Sequence, residues 1–388
     1  MKQLTFMKRR TLQWLEVPDP VLQGPGEALV RPFVAGRCDG DALFLRHDFE
    51  TALRAGAFAH LVDTDFGRSS TDVFHGPFAY GHECVAQVVS VGDEVRDHAP
   101  NDVVVVPWAI SCGECERCRA GFTSKCARND KPLAAYGFGS AIGGFGGMVS
   151  DLLRVPFADA MLVRVPPGVD PTAIASASDN IPDGYRAVGP QLLRAPGAPV
   201  LIVGGAAKSI GLYAAGIARA MGSSCVDYID ADRGRLEIAG KLGANPIYAG
   251  ALHTWFGRLK RVRSEGYPIT VDASGTGGGL SYALRLTAPG GHCTGLGFYL
   301  RKRTPLPLWQ MYIGSVTLHV GVSHARAHLP AVLDLINRGS FDPSVVTPII
   351  ADWDDAARAL TERATKIVVR RAPLPMPGYQ RGSEGMAN

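Results

Sequence analysis

Four cysteines crowd into one polar stretch with the spacing C-x2-C-x2-C-x7-C, at Cys112, Cys115, Cys118 and Cys126. Four thiolates so placed close a tetrahedron around one zinc ion and leave no position open, which predicts a structural rather than a catalytic metal. Four unrelated thiols seldom fall this close together, and the loop is otherwise polar, with Glu114, Glu116, Arg117 and Arg119. A zinc ribbon contacting nucleic acid or protein would offer the same donors. Ribbons pair two CxxC knuckles across a longer gap, so three close cysteines and one outlier read better as a lobe on a larger domain.

A second donor set is scattered along the chain: Cys38 in AGRCDGD, His82 with Glu83 in AYGHECVAQVVSVGDEV, and Asp179 in SASDNIPDGY. One thiolate, one imidazole and one carboxylate leave zinc's fourth position for water or substrate, the signature of an open site that polarises an oxygen. Each residue alone also has an ordinary structural role. A lone Cys is a small buried hydrophobe, and Asp179, three residues before Pro182, could cap a helix.

The third constellation is VLIVGGAAKSIGLYAAGIARAMG, which reads as strand, tight turn and helix with Gly204, Gly205 and Gly211 in the turn. Glycines there let backbone approach a pyrophosphate seated on the helix N-terminus, beside Ser209 and Ile210. The run departs from GxGxxG, with two extra residues and Ala206 or Lys208 at the middle glycine. A second strand ends at Asp230, where an acid accepts ribose hydroxyls and repels a 2′-phosphate; a plain strand-end turn residue is the alternative. Arg233 and Arg235 follow, and either could turn to a phosphate instead.

Elements of two kinds must position these groups. Up to about residue 170 short apolar runs such as 27–34, 85–91 and 102–107 are broken by Gly, Pro and Asp and predict a β-rich unit. From 180 to 325 strands (200–203, 224–230, 270–272) alternate with helices (210–221, 233–242), which predicts a parallel, doubly wound sheet and an α/β class. A helix at 329–338, another at 353–363 and a strand at 366–370 then return to the first unit. The expected division is 1–176 with 326–388 for metal and substrate, and 177–325 for the dinucleotide. From Ala372 onward the sequence lacks periodicity and reads as a loosely docked tail.

A chain of 388 residues suits two domains, and 46% hydrophobic with 20% charged residues is a globular balance. A net charge of +4, with the densest basic runs at Lys8–Arg10 and Arg301–Arg303 too short to suggest nucleic-acid or membrane binding, leads us to expect neither partner. The N-terminal residues contain no signal-length apolar stretch and the cysteines cluster as metal ligands do in a reducing compartment, so a cytoplasmic location is expected.

Taken together, CxxD at Cys38 and Asp41, GHE followed by VGxxV at Gly81 to Val95, and the four-cysteine lobe in that order resemble the zinc-dependent medium-chain alcohol dehydrogenase family over nearly the whole chain. The resemblance implies a GroES-like catalytic domain and a Rossmann domain. It implies two zinc ions per chain, one held by Cys38, His82 and Asp179, with Asp41 and Glu83 behind them, and one by the four cysteines. Asp at the third ligand position is similar to the formaldehyde dehydrogenase branch. The segments VDASGTGG, with Ser274, and GLGF, with Gly295, resemble the loops lining the nicotinamide. The implied activity is hydride transfer between NAD, favoured over NADP, and a small alcohol or aldehyde. The alternatives are an NADPH-linked zinc reductase, a dismutase-like enzyme with tightly held cofactor, or a non-catalytic zinc and nucleotide-binding protein. A homodimer or homotetramer is implied by the strand-like segment Ser315 to Val322.

Two departures stand out. The proton-relay positions, commonly Ser or Thr and then His, are Gly40 and Leu43. The stretch between Cys38 and His82 is also long and rich in Phe (44, 49, 58, 66, 74 and 78) and His (47, 60 and 75), which predicts either a lid or a surface helix packed on its aromatics.

Overall fold

The computed structural model describes residues 1–47, 49–62, 75–131, 133–139, 142–252 and 263–375. Two sheets organise the chain. The first has seven strands: β3 (Ala28–Gly36), β5 (Cys84–Val91), β6 (Val103–Val106), β7 (Leu153–Val155), β8 (Val163–Arg164), β15 (Ile349–Asp352) and β16 (Ile367–Arg370). Their order is β15-β16-β3-β5-β6-β8 with β7 also paired to β3. A three-stranded sheet, β1 (Lys2–Lys8), β2 (Thr11–Glu16) and β4 (Phe78–Ala79), in the order β2-β1-β4, packs beside it. Phe6, Val30, Ala86, Val104, Met148 and Ile367 share the core between them. Burying one such Val, Leu, Ile, Phe or Met side chain contributes about 1.5–3 kcal/mol.

The second sheet is parallel throughout, in the order β11-β10-β9-β12-β13-β14, built from β9 (Val200–Val203), β10 (Val226–Asp230), β11 (Asn245–Tyr248), β12 (Tyr267–Asp272), β13 (Thr287–Gly295) and β14 (Thr317–Val320). That order is the doubly wound arrangement, whose switch point lies between β9 and β12. β9 reads VLIV with every residue buried, as a strand covered on both faces must.

Along the chain the principal helices are α1 (Asp41–Arg46), α2 (Phe49–Phe58), α3 (Asn180–Arg194), α4 (Lys208–Ala220), α5 (Arg233–Lys241), α6 (Gly277–Arg285), α7 (Leu308–Gly314) and α8 (Ala325–Asn337). α4 carries small residues that let it lie against the sheet: a Cβ on Gly211 would come within 2.9 Å of Ala273. The helix expected at 353–363 is shorter than the pattern predicts. It is a 3-10 turn, Trp353–Asp355, followed by one helical turn, Ala356–Ala359.

The long segment after Cys38 forms α1 and α2. Phe44 and Phe78 are buried and meet each other and Phe6, which is the aromatic packing of a surface helix, whereas Phe58 is exposed. Phe66, Phe74 and the side chain of Phe49 lie outside the described residues, so the lid reading finds no test there. The start of the tail is held down: Ala372 accepts from Arg31 and the Leu374 N–H donates to Gln87 at 2.7 Å, while 376–388 lie outside the described residues. Among the described residues no helix is long and apolar enough to cross a membrane.

Candidate metal and dinucleotide site

Three segments converge on the open donor set. β3 delivers Cys38 just past its end, the residues leading into β5 deliver His82 and Glu83, and the turn before α3 delivers Asp179. Their ligand atoms all lie within 4.8 Å of one another, with Cys38 Sγ 3.3 Å from Asp179 Oδ2 and His82 Nε2 3.6 Å from the same oxygen. Asp179 occupies the N-cap position of α3 but makes no capping hydrogen bond; its side chain turns to the donor set instead. The capping alternative is thereby removed.

The surroundings suit a divalent cation. Cys38, Asp41, Glu83 and Asp179 are all buried, and the buried cations beside them are Lys366 and Arg37. Burial pushes the Cys38 thiol well above its ordinary range, and the Asp179, Glu83 and Asp41 carboxylates push it further. Burial would lower the His82 pKa, yet Asp41 and Asp179 hold it above the usual value. A bound metal reverses this logic by favouring the deprotonated donors. Among the described residues, His82 Nδ1 and Asp41 Oδ1 are buried without a hydrogen-bond partner, and they lie 3.5 Å apart. That pair fits an imidazole oriented by a carboxylate, leaving Nε2 free to ligate. Tyr80 and the Cys38 N–H both donate to Asp41 Oδ2, which fixes the carboxylate.

Two residues absent from the sequence reading complete the site. Asn180 donates from Nδ2 to Cys38 Sγ at 3.1 Å and to Asp179 Oδ2 at 3.0 Å. Lys366, fully buried, donates to Glu83 Oε2 at 2.6 Å and to Asn180 Oδ1 at 2.8 Å. Burial alone would lower its pKa, but Glu83, first among its anionic neighbours, holds it above the ordinary lysine value. Glu83 Oε2 also accepts from Ser176, so this carboxylate is held behind the donor set rather than aimed into it. Asn180 follows Asp179 directly and could have been noticed; Lys366 sits 283 residues from its partner, and nothing local marks it.

At the missing relay positions, the Phe298 ring stands over Gly40, where a Cβ would lie 3.5 Å from its Cε2. Phe138 and Trp108 flank His82, with ring centroids 4.6 and 6.2 Å from it, so the face beside the donor set is apolar.

The closed set is a compact lobe. The Cys112, Cys115, Cys118 and Cys126 sulfurs lie within 4.8 Å of one another, and backbone N–H groups of Cys115 and Ala127 point at sulfurs from 3.4 Å. Such N–H groups lower the Cys115 thiol to about 6, while burial pushes Cys118 to about 12.

Gly204, Gly205 and Ser274 follow the C-terminal ends of β9 and β12, which flank the switch point, Gly295 ends the neighbouring β13, and Gly211 lies in the first turn of α4 against Ala273. Gly205 is required by packing: a Cβ there would lie 2.7 Å from the Ser274 backbone. The seat on α4 differs from expectation. The Ser209 and Ile210 N–H groups and the Ser209 hydroxyl all donate to Asp39 Oδ2, at 2.7, 3.2 and 3.0 Å, so a carboxylate of the chain stands where a pyrophosphate was expected. Asp230 also differs, because Arg235 donates to both of its oxygens, at 2.6 and 2.7 Å.

Residues 24–167 match the alcohol dehydrogenase GroES-like domain, and residues 209–338 match the zinc-binding dehydrogenase domain. L-threonine 3-dehydrogenase of Streptomyces avermitilis is 30% identical over 278 residues, 71% of this chain and 70% of that protein. The glutathione-independent formaldehyde dehydrogenase of Bacillus subtilis is 26% identical, over 78% of this chain and 77% of that one. Among solved structures, the alcohol dehydrogenase TADH from Thermus sp. ATN1 superposes with a TM-score of 0.79 at 29% identity, covering 95% of this chain and 99% of the other. With its two metal-donor sets and its parallel dinucleotide sheet, the chain belongs to the zinc-dependent medium-chain alcohol dehydrogenase family of oxidoreductases.

Proposed function

We propose that the protein transfers hydride between a nicotinamide dinucleotide and a small alcohol or aldehyde at Cys38, His82 and Asp179. The carrying observation is the convergence of these three donors within 4.8 Å beside the switch point of the parallel sheet. Zinc bound there supplies Lewis acidity toward a substrate oxygen. Asn180 fixes two of the donors by hydrogen bonds, and Asp41 orients the imidazole. Phe138 and Trp108 exclude water from the apolar face, which suits a small, weakly polar substrate. The four cysteines hold a second, structural zinc. Residues 1–176 and 326–388 carry metal and substrate, with Asp179 reaching in from 177–325, which carries the dinucleotide.

A preference for NAD was expected from Asp230 as an acceptor for ribose hydroxyls. With both oxygens held by Arg235, the carboxylate repels a 2′-phosphate less than a free one would. The test is a panel of alcohols with NAD and NADP, and of aldehydes with the reduced forms, followed by nicotinamide absorbance. Two zinc ions bound without turnover on any member would overturn the assignment. Cofactor that stays with the protein through gel filtration would favour the dismutase-like alternative.

A further inference from the structure

A cavity of about 630 Å³ opens between the two sheets, bounded by the turn joining β1 to β2, the end of α1, residues 363–365 and the starts of α4 and α5. Among the described residues its walls bring together Arg10, Arg46, Lys208, Arg235 and Arg363 against one acid, Asp232. Arg235 is already paired with Asp230 and Asp232. Among the described residues, Arg10, Arg46, Lys208 and Arg363 form no ion pair.

The cluster is built, not incidental. Arg10 sits in the left-handed region at φ 60°, unusual for a residue with a side chain, and its N–H donates to the Leu45 carbonyl at 2.9 Å. That bond ties the hairpin turn to the end of α1, beside Arg46. The Arg46 guanidinium donates to the Glu362 carbonyl, next to Arg363. Burial and then the neighbouring cations Arg37, Arg363 and Arg10 hold the Arg46 pKa below its ordinary value. Lys208 is lowered too, by burial first and by Arg46, Arg37 and Arg235 against the opposing pull of Asp39. Cations that repel each other across a cavity raise the local affinity for a polyanion.

Lys208 is also the first residue of α4, whose leading N–H groups are committed to Asp39. A dinucleotide entering this cleft therefore finds its usual phosphate seat filled by a carboxylate and a set of unpaired cations directly beside it. We propose that Arg10, Arg46, Lys208 and Arg363, with Arg235 keeping Asp230 neutralised beside them, hold the phosphates of a 2′-phosphorylated dinucleotide, so that the protein selects NADP over NAD. The charges match: a diphosphate and a phosphomonoester together carry roughly −3.5 to −4, of which the 2′-phosphate supplies about half. An unphosphorylated dinucleotide would leave the surplus cations unmatched. The assignment rests on the oxidoreductase reading above, which supplies the dinucleotide.

The experiment is a fluorescence titration of the zinc-loaded full-length protein with NADPH and with NADH, repeated on R10Q/R46Q. The wild-type protein is expected to bind NADPH at least about tenfold more tightly. The double variant should lose about tenfold or more in NADPH affinity and distinctly less in NADH affinity. Adenosine 2′-phosphate should compete with NADPH better than adenosine 5′-phosphate or inorganic phosphate, which separates a 2′-phosphate site from a general anion site. Equal affinities, tighter NADH, or equal losses for both dinucleotides in the variant would overturn the cavity assignment. If NADH then still supports turnover, the oxidoreductase reading stands alone; if neither dinucleotide binds, both fall.

Discussion

Lys366 and Glu83 face each other with both side chains fully buried, and each offsets the other's charge. Removing one partner of a buried ion pair leaves an uncompensated charge, at about 3–5 kcal/mol. Lys366→Met should therefore lower unfolding free energy in urea by about that amount, and adding Glu83→Gln should restore much of it; additive losses would contradict the pairing. This pair also shows the limit of what was legible. Cys38, His82 and Asp179 could be named because each ligand type is chemically distinctive and sits in a short motif. Lys366 could not, because an isolated lysine beside a strand reads as a surface charge until the fold brings it to a carboxylate far away in sequence. Asp39 was passed over for the same reason, and the N–H groups it occupies lie on a helix 170 positions later.

Among the elements, the cysteine lobe and the open donor set are expected to divide structural from chemical work. Cys115→Ser should leave protein with one zinc and a clearly lower thermal midpoint, whereas Asp179→Asn should fold normally while turnover disappears. Metal analysis and thermal unfolding on both variants check this; equal destabilisation would refute the division. The lobe is fastened to α8 through Ser124, whose hydroxyl lies 2.7 Å from His324 Nδ1. Burial, with Arg186 nearby, lowers both His324 and His328 to about 4. A histidine ordinarily titrates near 6.5, so the unfolded chain takes up protons that the folded one refuses. These two residues thus stabilise the fold fully above pH 6.5, and that contribution is lost as pH falls toward 4. The thermal midpoint should drop across this window, and His328→Gln should flatten the slope. The parallel sheet around α8 was readable from alternating strand and helix patterns. The short helix after Trp353 was not, since its apolar spacing continues beyond the single turn that forms.

For the molecule as a whole, β14 ends the parallel sheet with an edge that is unpaired among the described residues, and α7 beside it exposes Leu308, Trp309, Tyr312 and Ile313. An apolar face next to an open edge favours association of copies, and a homodimer or homotetramer is the expected state. Light scattering at micromolar concentration should report a mass above that of one chain, and W309E/Y312E should shift it toward the monomer with circular dichroism unchanged. A monomeric wild-type protein would refute this.

The position of β16 bears on how the protein is made. This strand, the last one described, lies between β15 and β3, and Lys366 immediately precedes it. A chain arrested on the ribosome after Ser340 has already emitted every metal ligand. It still lacks the strand that braces β3 behind Cys38 and the ammonium that neutralises Glu83. The cysteine lobe, by contrast, is complete within one short run, and its anchor on α8 has also been synthesised. This order predicts that the lobe takes up metal during synthesis and the open site only after release. Arrested chains given zinc should retain one ion each, and released chains two.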